Sequence, residues 1–155
     1  IGEMIGGRQR SKARTRQGQG PMAEFHFKVR VYYEDTDAGG IVYYANYLKF
    51  MERARTEWLR SLGVDQRSLM KEQRLMFVVV SAEVKYHKPA EFNDELNVSC
   101  RVVSTTRTSL IFEQEVRRGD EQGELLVSGT LKAACVCADR RRPKAIPSNI
   151  LEEFG

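Results

Sequence analysis

The sequence lacks several things that would have set its class at once. No apolar run exceeds the six residues Leu75 to Val80, so no segment approaches the roughly 20 residues of a membrane-spanning helix. Cysteine is scarce and odd in number: Cys100, Cys135 and Cys137 leave no closed disulfide framework. Cys135 and Cys137 are separated by one residue, which is neither the redox nor the zinc spacing, and only two histidines accompany them. They are therefore expected as small buried apolar residues in a reducing compartment, with no metal site and no redox cofactor. No G-x-S-x-G occurs, and neither His26 nor His87 adjoins a Ser or Cys in a nucleophile motif, so a serine or cysteine hydrolase of that kind is not expected. Excess charge of one sign is missing from the body of the chain. Residues 1–22 hold Arg8, Arg10, Lys12, Arg14 and Arg16 against Glu3 alone, which accounts for the whole net charge of +4. Residues 23–155 are balanced, so the basic pI is no argument for nucleic-acid binding by the domain.

What is present is one patterned domain. The 155 residues are 41% hydrophobic and 30% charged, enough for one buried core. Residues 1–22 are rich in Gly, Gln and Arg and have no apolar period, which predicts a flexible basic extension. They contain no apolar stretch of a secretory signal. A cytoplasmic domain over residues 23–155 is the expectation. Nucleic-acid binding through the extension is a lesser alternative, and its mark would be salt-dependent affinity lost with residues 1–22.

Phe25, Phe27, Val29, Val31 and Tyr33 alternate with polar residues, a half-buried strand. It meets Glu34 to Gly40, a loop with three carboxylates and two glycines. A helix from Asn46 to about Leu62 follows, with Tyr47, Met51, Ala54, Trp58 and Leu62 on its apolar side and Leu48 and Leu59 widening the stripe. Asn46 is the expected N-cap, Gly63 the expected stop, and Arg53–Glu57 an expected i,i+4 pair. Asp65 should cap a second short helix reaching about Arg74. Alternation then predicts strands at 78–86, 96–102, 110–116 and 125–137, and Pro147-Ser148-Asn149 opens a short terminal helix. The fold class is α+β: one long helix against a five-stranded antiparallel sheet. One helix cannot cover both the face and the edges of such a sheet, so association is expected.

The loop before the long helix is the chemically loaded place. A carboxylate there sits beside the unpaired N–H groups of a helix N-terminus, and glycines let a substrate approach the backbone. Those are the parts needed to add water to a carbonyl. Capping and solvation of a turn is the plainer account of Asp35 and Asp37 from loop physics alone.

The stretch Asp37-Ala38-Gly39-Gly40-Ile41-Val42-Tyr43-Tyr44-Ala45-Asn46-Tyr47 resembles the acyl-CoA thioesterases of the hot-dog fold. Within them it is similar to the 4-hydroxybenzoyl-CoA thioesterase group, and most of all to the bacterial Tol-Pal-associated acyl-CoA thioesterases. The resemblance runs from about Phe27 to Phe154 and includes FVVVSAEVKYHKPAEFNDEL, TRTSLIFEQEV and RPKAIPSNILEEF. It implies hydrolysis of acyl-CoA thioesters, with Asp37 as general base or nucleophile and the Tyr44 backbone N–H as oxyanion donor. Gly39, Gly40 and Asn46 would belong to the substrate-binding loop, and Ser109 would line the site from a neighbouring subunit. A homodimer or homotetramer is implied, with acyl-CoA or an acyl-carrier protein as partner. The sequence departs at Tyr44, where Tol-Pal-associated members carry His and the hydroxybenzoyl group Tyr; a backbone donor survives that change. The alternative is a non-catalytic module that binds acyl-CoA or acyl-carrier protein. For coenzyme A phosphates the candidate cations are Lys85, Lys88, Arg107, Lys132, Arg140, Arg141, Arg142 and Lys144. Asp35, Glu52 and Glu57 are expected to serve structure rather than chemistry.

Overall fold

A computed structural model describes residues 24–154. The 1–22 extension lies outside the described residues. Five strands form one antiparallel sheet: β1 (Phe25–Arg30), β2 (Leu75–Tyr86), β3 (Glu95–Thr105), β4 (Ser109–Arg118) and β5 (Leu125–Cys137), in the order β1-β3-β4-β5-β2. The meander β3-β4-β5 forms its centre, and β1 and β2 are the edges. Helix α1 (Asn46–Ser61) lies against the sheet, followed by α2 (Gln66–Gln73) and a terminal turn α3 (Ser148–Leu151). Among the described residues no helix is long and apolar enough to cross a membrane.

The α1 stripe carries the core. Tyr47, Phe50, Met51, Ala54, Trp58 and Leu59 are buried against Leu96, Val98, Phe112, Val116, Val127 and Leu131 of the sheet. Trp58 meets Phe112 edge-on with ring centroids 5.4 Å apart. Phe50, not Leu48, widens the stripe: Phe50 is 1% exposed and Leu48 41%. At about 100° per residue, position 50 falls on the far side of 54 from 47, still next to the stripe, whereas 48 lies well round on the opposite flank.

Three local expectations change. β1 ends at Arg30 rather than Tyr33, because Tyr33–Asp35 winds into a 3-10 turn. Asn46 is the first helical residue rather than the N-cap, and Ala45 occupies the cap without a side-chain bond. Glu57 pairs with Arg60 one turn on, not with Arg53, whose guanidinium stacks 6.0 Å over the Phe50 ring. The helix stop is found as expected: Gly63 N–H donates to Arg60 O and Val64 N–H to Leu59 O, both at 3.0 Å. Asp65 caps α2 through Arg67 N–H at 2.9 Å.

The β3–β4 ladder is interrupted at its middle. Glu115 N–H donates to Ser99 Oγ at 3.0 Å, while Ser99 O accepts from Gln114 Nε2 at 3.2 Å. Gln114 Nε2 also donates to Met51 O on α1 at 3.0 Å. A buried amide thus bridges helix and sheet where two backbone groups would otherwise face each other.

Candidate active site

The segment between β1 and α1 is a closed loop. Asp37 N–H donates to Ile41 O at 2.9 Å and Gly40 N–H to Asp37 O at 3.0 Å, so residues 37–40 form a tight turn. Gly40 adopts φ +80°, which a side chain would strain. A bridge between Thr36 and Val42 closes the base of this turn, and a bridge between Ile41 and Glu91 ties it to the segment before β3.

Asp35 holds the loop to the helix. Its carboxylate accepts Tyr32 N–H at 2.9 Å. Its carbonyl accepts Tyr43 N–H at 2.9 Å and the buried Asn46 Nδ2 at 2.8 Å. Asn46, displaced from the cap, therefore fixes the loop from inside the first helical turn.

Asp37 is exposed, and one oxygen, Oδ1, accepts Gly39 N–H at 2.8 Å. A Cβ at residue 39 would press on that oxygen at 3.2 Å. Among the described residues Oδ2 has no hydrogen-bond donor. The Tyr44 N–H likewise has no acceptor among the described residues, although its neighbours Tyr43 and Asn46 both donate. An open N–H two residues before the helix, at the positive end of its dipole, is a donor available to a developing oxyanion.

Tyr44 borders a pocket of about 260 Å³ lined by Ile41, Val42, Tyr44, Tyr47, Tyr86, His87, Lys88 and Pro89. Asp37 is not in this wall; the two residues that close its turn, Ile41 and Val42, are. The rings of Tyr44 and Tyr86 meet edge-on at 6.0 Å, and Tyr47 lies 5.8 Å from Tyr86. Tyr47 is buried with its hydroxyl accepting Ala90 N–H at 2.9 Å. Burial pushes the Tyr47 phenol up, only partly offset by that bond, and burial likewise raises Tyr86. Both phenols stay protonated at neutral pH and keep an O–H to donate. Tyr86 ends β2 and His87 follows it; nothing in their spacing from Tyr44 points to a common pocket.

Other expected residues fall elsewhere. Ser109 is buried in the β3–β4 turn with its Oγ 2.7 Å from Thr106 Oγ1, and does not line the Tyr44 pocket. Of the candidate phosphate-binding cations only Lys88 borders it, paired with Glu124 at 2.7 Å. Lys85 and Ser128 lie on a larger polar concavity of about 340 Å³ across the outer sheet face, away from the loop. Arg140–Arg142 form the turn after β5. His87 Nε2 stands 2.9 Å from Ser128 Oγ, a pairing created by the β2–β5 register and invisible in sequence order. Among the described residues no carboxylate orients its Nδ1, so no triad is assembled. The three cysteines are free, Cys100 and Cys135 buried, and burial pushes the Cys100 thiol up to about 12. Among the described residues no cluster of His, Cys, Asp and Glu could hold a metal ion.

A sequence profile of the thioesterase-like superfamily matches residues 31–154. The acyl-CoA thioesterase YbgC of Haemophilus influenzae is 44% identical over 130 residues, 84% of this chain and 93% of that protein. The acyl-CoA thioester hydrolase YbgC of Escherichia coli O6:H1 is 43% identical over 130 residues, 84% of this chain and 95% of that protein. A crystal structure of a 1,4-dihydroxy-2-naphthoyl-CoA thioesterase from Synechocystis superposes with a TM-score of 0.78 at 21% identity, covering 85% and 96% of the two chains. That likeness shows the fold, the hot-dog arrangement of a long helix held by a curved antiparallel sheet.

Proposed function

The chain belongs to the thioesterase-like superfamily, and from that premise we propose that it hydrolyses acyl-CoA thioesters to the free acid and coenzyme A. The observation that carries the catalytic reading is the Tyr44 N–H, without an acceptor among the described residues, on the loop that also holds Asp37, whose Oδ2 has no donor among them. The thioester carbonyl would accept from Tyr44 N–H. Asp37 would then take a proton from an attacking water as general base, or attack the carbonyl itself and form a mixed anhydride that water opens. In both routes the C–S bond breaks and coenzyme A leaves as thiolate, the charge passing through an oxyanion held by the helix end.

Gly39 and Gly40 would shape the turn that the substrate passes. Asn46 acts behind them, holding Asp35. The working unit would be a homo-oligomer, with Ser109 reaching the site only from a neighbouring subunit. β2 is the edge that favours pairing: Val79 and Val80 on it are 49% and 54% exposed. The alternative, a module that binds acyl-CoA or acyl-carrier protein without cleaving it, keeps the same pocket. Thiol release from a panel of short, long and aromatic acyl-CoAs separates the two. Multiple-turnover release from at least one class is expected; saturable binding without release from any would leave only the binding module.

A further inference from the structure

Residues 89–94, between β2 and β3, belong to neither strand. Pro89 has no N–H to offer a ladder, and Asn93 sits at φ +74°, where a strand cannot run. The segment nevertheless holds the loop that carries Asp37 and Tyr44. Ala90 O accepts Val42 N–H at 2.9 Å, and Ala90 N–H donates to the buried Tyr47 hydroxyl at 2.9 Å. Glu91 bridges Ile41, and Phe92 N–H donates to Gly40 O at 3.4 Å. Three consecutive residues thus fix the chain on both sides of Tyr44.

The segment has two anchors of its own. One is backbone to the end of β1: Asn93 N–H donates to Val31 O at 3.0 Å and Val31 N–H to Asp94 O at 2.9 Å. The other is a single side chain from the end of β4. Arg118 Nη2 donates to Pro89 O at 3.0 Å and Nη1 to Asp94 Oδ2, so one guanidinium closes both ends of the segment. Asp94 Oδ2 also accepts Glu91 N–H at 2.9 Å, which folds the turn inside that clamp. Arg118 Nε donates to Glu124 Oε1 at 3.4 Å, and Glu124 takes Lys88, in the pocket wall, on its other oxygen at 2.7 Å. All three nitrogens are engaged, a fork that a lysine cannot reproduce. The Arg118 and Asp94 side chains are 32% and 21% exposed, so salt screens this pair less than one on the open surface. The charge is felt in the pocket too: burial raises the Tyr47 phenol, and the Ala90 bond and then Arg118 pull it back. Arg118 itself is not in the pocket wall.

We infer that Arg118 is a positioning residue for the Asp37–Tyr44 loop, acting through residues 89–94. Its effect on rate rests on the hydrolysis proposed above. Without the guanidinium, Pro89 O and the Asp94 carboxylate lose their shared partner, and Ala90 shifts with the loop it holds. A displacement of about 1 Å in a reacting geometry can cost about a hundredfold in rate. The groups that bind the rest of the substrate stay where they are, so the loss falls on kcat more than on KM.

The test has two arms on the full chain. Amide hydrogen exchange needs no substrate. In Arg118→Met the Val42 and Ala90 amides should exchange about tenfold faster or more, while Val98 and Val116 in the sheet keep the parent rate. Asp94→Asn, which retains an oxygen for Glu91 N–H, should give the same pattern. The kinetic arm measures acyl-CoA hydrolysis: kcat should fall about tenfold or more in Arg118→Met, with KM within about threefold of the parent. Arg118→Lys should recover part of kcat. Adding Asp94→Asn to Arg118→Met should cost little more, because the two act as one clamp. Arg117→Met, next along β4 and bonded to Glu115 and Gly123 O, should leave kcat and both amides unchanged. Unchanged exchange at Val42 and Ala90, or an equal rise at Val98 and Val116, would overturn the clamp. A change in KM with kcat kept, additive losses in the double variant, or the same loss in Arg117→Met would overturn the positioning role. If the parent cleaves no acyl-CoA, the hydrolysis reading fails by itself, and the exchange arm still decides whether Arg118 holds the loop.

Discussion

Asp35 and Asp37 are two residues apart and have different neighbours. Asp35 is consumed by the backbone: carboxylate to Tyr32 N–H, carbonyl to Tyr43 N–H and Asn46 Nδ2. Among the described residues Asp37 is bound on one oxygen only. Asp37→Asn keeps the shape and removes both basicity and nucleophilicity, so acyl-CoA turnover should fall by about a hundredfold or more with binding retained. Asp35→Asn keeps an oxygen for Tyr32 N–H and should cost far less. Steady-state assays of both variants check this, and equal losses would remove Asp37 from the reaction. The carboxylates were visible in the sequence, and so was their setting before a helix. Their division of labour rests on hydrogen bonds closed by Tyr43 and Asn46, eight and eleven residues after Asp35, which no pattern of residue types encodes.

At the scale of elements, the periodic segments were legible because burial imposes the period. The α1 stripe, the Gly63 stop, the Asp65 cap and all five strands follow from apolar spacing and turn chemistry. Element ends were less so. Tyr33 continues the alternation of β1 on paper, but Asp35 pulls the chain into a turn two residues earlier. Asn46 looks like a cap by type, yet its amide is drawn to Asp35 O, and the helix begins one residue sooner. The Asp65 cap offers a pH test. Its carboxylate accepts backbone N–H from Arg67 and Ser68, and these bonds hold its pKa below the ordinary aspartate value. Its stabilising contribution is therefore full above about pH 4, where the unfolded carboxyl is also ionised, and is lost as pH falls through the lower folded pKa. Asp65→Ala should lower the melting temperature at pH 7, and the gap to the parent should close as pH falls below the ordinary aspartate range and through the lowered folded pKa. A gap constant across that range in thermal melts would show that the charge is not what caps α2.

At the scale of the whole molecule, the order β1-β3-β4-β5-β2 leaves two edges with different character. β1 is six residues long and carries His26, Lys28 and Arg30. β2 has twelve residues with Val79 and Val80 in water, and its pairing with β5 slips between Val79 and Ser81. A long edge with exposed valines is a surface that a second copy can complete by two-fold pairing. Sedimentation at sub-micromolar protein should show a dimer or larger. Val80→Lys should shift it toward monomer and lower turnover with it. A fully active monomer would rule out a site shared between subunits.

The interrupted β3–β4 ladder has a consequence in time. In an unbroken sheet the innermost amides exchange their protons last, because the strands must part first. Here the Glu115 amide hangs on the Ser99 hydroxyl, and a hydroxyl rotates without moving either strand. The middle of this sheet can therefore open by the turn of one small side chain. Its slowest protons belong on either side of that point, at Val98–Val116 and Arg101–Glu113, where backbone still meets backbone.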